Sequence, residues 1–69
     1  MADARQLMAE MIASQPTEML LDIARKLNMT TDAAEMTALF AVERELESRM
    51  SEEKFTALMN EFDAELMAS

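Results

Sequence analysis

A chain of 69 residues with no Cys, no His and no Gly excludes disulfide staples, ordinary zinc sites, phosphate-cradling glycine loops and tight β-hairpins. Fourteen acids against six bases give a net charge of -8, which repels nucleic acid and anionic membranes and attracts basic partners. With 51% hydrophobic residues and a dominance of Ala, Leu, Met and Glu, the chain is too apolar for disorder and is read as a single helical domain over 1–69.

The first predicted helix covers 3–13. Leu7, Met8, Met11 and Ile12 fall on one stripe, with Ala4 beside them. Gln15 and Pro16 end it, since a residue before proline avoids the helical region. The second covers 16–28 and starts on Pro16, a favoured first-turn residue. Met19, Leu20, Leu21, Ile23, Ala24 and Leu27 give it a wide apolar face, and Asp22 can pair with Lys26 one turn on. Asn28 is a stop through the left-handed conformation that ends many helices, with Met29 folding back on the last turn.

The third predicted helix covers 32–50, with Asp32 as cap and Glu35 in the capping-box position. Its apolar side holds Met36, Leu39, Phe40, Val42, Leu46 and Met50. Ser51, Glu52 and Glu53 signal a fourth helix over 52–67. No Pro or Gly marks this junction, so one long bent helix is the alternative. Phe55, Leu58, Met59, Phe62 and Leu66 form a narrow seam at helical spacing.

A core of this size seldom supplies more than about 3–5 kcal/mol, and disulfides and zinc are ruled out, which leaves association as the staple. The fold class expected is therefore all-α: a small bundle of three to four short antiparallel helices, completed by homodimerisation.

Catalysis is not expected. No His, Cys or Tyr is present to transfer a proton or attack a substrate, and carboxylates alone need a cleft that so short a chain has little room for. No cofactor is implied. Glu61 and Glu65 lie one turn apart with Asp63 on the flank, which reads as a solvated acidic face and not as a metal site. Asp3 and Glu10 interrupt the apolar N-terminal stretch, so it is not read as a secretory signal, and no run approaches the roughly 20 residues of a membrane span. Cytoplasm is the expected location.

Charge is unevenly placed. Residues 1–30 hold four acids and three bases, whereas 31–69 hold ten acids against three bases. Glu43 breaks the third apolar stripe, falling between Phe40 and Leu46; a polar residue there either fixes register and partner or sits at a solvated edge. Nine methionines exceed what composition alone leads one to expect, and Met is over-used on surfaces that accommodate varied partners.

Residues 23–31 resemble the first helix and turn of a helix-turn-helix motif. Ala24 is small, Leu27 and Met29 are apolar, and Asn28 stands where that family prefers Gly. The resemblance implies a recognition helix offering Thr31, Asp32 and Glu35 to DNA. That helix has no Arg or Lys in its first twelve residues, and Thr37 falls where the family packs an apolar side chain.

The function expected is a non-enzymatic protein–protein interaction module, such as an adaptor, small chaperone or regulatory subunit. Its partner is a protein, met through Met36, Glu43, Met59, Glu61, Asp63 and Glu65, with no direct nucleic-acid or membrane binding. An acidic nucleic-acid mimic that inhibits a DNA-binding protein is the alternative, and a helix-turn-helix DNA-binding protein is less favoured.

Overall fold

The structure is a computed structural model and describes residues 3–68. Four helices follow in the order α1 (Ala4–Ala13), α2 (Thr17–Leu27), α3 (Ala33–Arg49) and α4 (Glu52–Ala68), with no strand among the described residues. Three of the four starts are capped by a side chain that accepts an otherwise unpaired first-turn donor. The Asp3 carboxylate accepts from Gln6 N–H at 2.8 Å, the Asp32 carboxylate from Glu35 N–H at 2.9 Å, and the Ser51 hydroxyl from Lys54 N–H at 3.2 Å.

Local details correct several expectations. Helix α2 starts at Thr17, because Pro16 has extended backbone (φ -63, ψ 149) and acts as the cap, its carbonyl accepting from Met19 and Leu20 N–H. The capping box at Asp32 and Glu35 takes a relayed form: Asp32 N–H donates to Thr30 Oγ1, and the Thr30 hydroxyl donates to Glu35 Oε1, each at 3.1 Å. Asn28 does not end α2 with a left-handed turn; its φ is -57, and no described residue has positive φ. Its side chain is committed elsewhere, as shown below, and Met29 stays exposed. Helices α3 and α4 are separate. Met50 is extended (φ -108, ψ 156) and Ser51 caps the next helix, so a polar cap breaks the chain where Gly and Pro are lacking.

Three long-range hydrogen bonds fix the topology. Arg49 Nη1 donates to Thr17 Oγ1 at 3.2 Å, which sets the end of α3 against the start of α2 and makes the two an antiparallel hairpin. Arg49 Nη2 donates to the Ala13 carbonyl at 2.9 Å, so α1 and α3 end side by side. Asn28 Nδ2 donates to the Phe62 carbonyl at 3.1 Å, which brings the far part of α4 back to the end of α2. The path is up, down, up, down, with α3 in contact with each of the other three helices. The molecule is flat, 42 × 28 × 16 Å.

One apolar cluster forms the core: Leu20 and Ala24 from α2, Leu39, Val42 and Leu46 from α3, Leu58 and Phe62 from α4. Burying each large side chain contributes about 1.5–3 kcal/mol. The buried face of α3 is centred on Leu39, Val42 and Leu46, spaced i, i+3, i+7. Phe40 therefore points to the side and stays 60% exposed, and Met36 is exposed as well. Both were expected on the apolar side of this helix. Helix α1 contributes no buried side chain: Met8 and Ile12 are half-buried, while Leu7 and Met11 face solvent.

Candidate interaction surface

Ile12 of helix α1 packs against the core, while the end of the helix is fastened by Arg49. This residue sits in the last turn of α3, where Glu45 one turn earlier accepts from its Nε at 2.8 Å and fixes the side chain. The guanidinium fork then has four N–H groups to spend, and it directs them at the orphan carbonyls that end α1. Nη1 donates to the Gln15 carbonyl at 2.7 Å and Nη2 to the Ala13 carbonyl at 2.9 Å. The Ser14 hydroxyl satisfies the Met11 carbonyl at 2.7 Å. Sequence reasoning did not single out Arg49. Its i, i+4 spacing from Glu45 was visible, but partners more than thirty residues earlier in the chain were not.

The sides of α1 are open. Between α1 and α3 runs a cleft of about 580 Å³ with a mostly apolar lining that includes Met8, Ile12 and Phe40. Arg5 on one wall and Arg44 on the other also line it. Among the described residues neither arginine side chain has an ion pair or a hydrogen bond, although the chain carries -8. Glu45 lines the same cleft, but its carboxylate is taken by Arg49. On the other side of α1 lies a second, almost wholly apolar cleft of about 490 Å³, lined by Leu7, Met11, Ile23 and Val42 among others. The two clefts share Met8 and Ile12, so they are the two flanks of one loosely covered helix.

The residues singled out from sequence fall in different places. Glu61, Asp63 and Glu65 are exposed on α4, as an acidic face requires. Glu65 is also engaged, its Oε2 accepting from Asn28 Nδ2 at 3.3 Å, so the buried Asn28 side chain ties α2 to α4 by two bonds. Glu43 is half-buried on the α4 side of α3. Burial pushes its carboxyl above the usual carboxylate range, and the charge of Asp63 adds to the rise. The structure thus brings Glu43 and Asp63 together as like charges. Met36 is exposed on α3, outside both clefts, whereas Met59 is half-buried against the core. These two do not form one surface. The cleft residues Arg5, Phe40 and Arg44 were not recognised as a group. The repeat of Phe40 and Arg44 at i, i+4 was the available signal.

No group of three or more acidic side chains is arranged to hold a metal ion, and no helix is long and apolar enough to cross a membrane, among the described residues. No protein-family model, no curated protein and no solved structure matches the chain.

Proposed function

We propose that this chain is a non-enzymatic protein–protein interaction module that self-associates as a dimer and binds its partner through the apolar side chains around α1. One observation carries the reading: α1 has no buried residue, and it leaves Leu7, Met11 and Phe40 in water beside two clefts. Exposed apolar surface of this kind marks interfaces, and two-fold dimers are the commonest soluble assembly. An adaptor, a small chaperone or a regulatory subunit all fit such a surface, and a cytoplasmic location fits the absence of Cys.

Light scattering at micromolar concentration tests the dimer, with about twice the 7.8 kDa chain mass expected. A single-chain mass at every concentration rejects it. Partner binding is tested with Met11→Glu and Leu7→Glu, which replace side chains already in water and leave the core intact. Protein captured from the native host by the wild type should be lost with these variants, and its affinity should change little with salt.

A second reading keeps one specific support. The carboxylates of Glu53, Glu61 and Asp63 all stand exposed on α4, as in a protein that imitates nucleic-acid phosphates. A partner whose affinity falls tenfold or more both at high salt and on Glu61→Gln with Glu65→Gln supports mimicry instead. Direct DNA binding gains no support, because the first two turns of α3 present Ala33, Ala34, Glu35 and Thr37 to solvent and no cation.

A further inference from the structure

The cleft between α1 and α3 has a chemistry at odds with the rest of the molecule. It places two unpaired arginines at the walls of an apolar groove in a chain that carries -8. Its lining recurs at helical spacing along both walls, Arg5, Met8 and Ile12 on α1, Phe40 and Arg44 on α3. A groove between two helices that run side by side fits a third helix, and the arginines require that helix to bring carboxylates. A partner of this description exists in the chain itself. The side of α4 turned away from Phe55, Leu58 and Phe62 carries a stripe of Glu53, Ala57, Asn60 and Ala64, with Met67 at one edge and Glu61 at the other next to Lys54, all exposed. Small side chains, Ala57 and Ala64, lie between the carboxylates of Glu53 and Glu61, which allows a helix to sit close while its acids reach the groove walls.

We infer that the α1–α3 cleft of one copy receives the outer face of α4 of a second copy, with Arg5 and Arg44 pairing with Glu53 and Glu61 across the interface. The inference rests on the self-association reading and names its contact surface. Cleft and stripe lie on separate elements, so in a two-fold dimer each copy supplies one of each and the contact is made twice. The cleft is incomplete without the second copy: its arginines meet their counter-charges, and Phe40 loses contact with water, when α4 of the neighbour docks.

Charge reversal on the full chain tests this. Arg5→Glu with Arg44→Glu changes the cleft, Glu53→Arg with Glu61→Arg changes the stripe, and all four positions are exposed, so neither variant touches the core. Each variant alone should sediment as a monomer, its dimer weakened at least tenfold. Mixed in equal amounts the two should form a dimer again, since one contact is then wild type and the other has both charges reversed. Rescue on mixing also shows that each variant is folded. A mixture that stays monomeric overturns the inference. A wild-type dimer untouched by either reversal leaves self-association standing and overturns this interface, moving it to Leu7 and Met11. A wild-type chain that is monomeric at all concentrations overturns both.

Discussion

Helices α1 and α2 are nearly the same length, 10 and 11 residues, and both lie against α3, yet they are held by different physics. Helix α2 inserts Leu20 and Ala24 fully into the core and leaves only part of its apolar stripe in water. Helix α1 inserts nothing fully; it is fastened by the Arg49 fork at one end and by half-buried Met8 and Ile12 along its length. Burial is non-directional and tolerates no water, whereas a charged clamp is directional and works at a wet edge. One chain therefore carries a permanent helix and a helix whose flanks are available to partners.

The sharpest way to break the contrast is to cut into the core that α2 enters with Leu20 and Ala24 and that α1 only meets with Ile12. Leu46 is 0% exposed, and Leu46→Ala should cost about 2–5 kcal/mol, enough to unfold so small a domain in chemical denaturation. Arg49→Ala comes next. Its side chain is partly exposed, so water replaces some of its bonds, and the loss should be about 1–2 kcal/mol. Native-state hydrogen exchange should then show α1 amides opening while α2 and α3 stay protected. Equal loss of protection in α1 and α2 would show that the two helices are not separately held. Asn28→Ala should cost about 1 kcal/mol and loosen the last turns of α4, read by the same exchange experiment.

The smallest effect concerns Glu43. Its carboxyl holds a proton to higher pH in the folded chain than in the unfolded one. The folded state then binds more protons above the ordinary carboxylate range, so stability falls as pH rises through that window and returns as pH is lowered. Glu43→Gln should stabilise the fold at neutral pH by at most about 0.5 kcal/mol and flatten this part of the melting-temperature profile. Asp63→Asn should act in the same direction. A melting temperature lowered by either change would show that the two carboxylates are held by cations instead of repelling each other.

The four helices and the caps Asp32 and Ser51 were legible because periodicity and capping are local, settled within three or four residues, whereas Asp3 was counted inside the first helix and proved to be its cap. The break at Met50 was legible for the same reason. What the sequence concealed depends on how helices lie in space. Phe40 and Leu39 are adjacent and both apolar, yet one is 60% and the other 6% exposed, a difference decided by where α1 and α2 stand. Asn28 was read as a backbone stop on its own helix and proved to be a tether to α4, through partners more than thirty residues away. Glu43 was seen to interrupt a stripe, but that its neighbour would be Asp63 required the return path of α4.

The reach of Arg49 also constrains the order of events as the chain is made. The donors that fasten the end of α1 belong to the last residue of α3, and its wall partners Phe40 and Arg44 lie in the same helix. During synthesis α1 emerges first but has nothing to dock on until α3 is complete, roughly 35 residues later. Contacts of such sequence separation form late, after the α2–α3 hairpin, whose pairing closes a loop of only a few residues. Of the four helices α1 is made before the surface it docks on, and Met8 and Ile12 wait uncovered for the second or more that elongation to the end of α3 takes at about 5–20 residues per second.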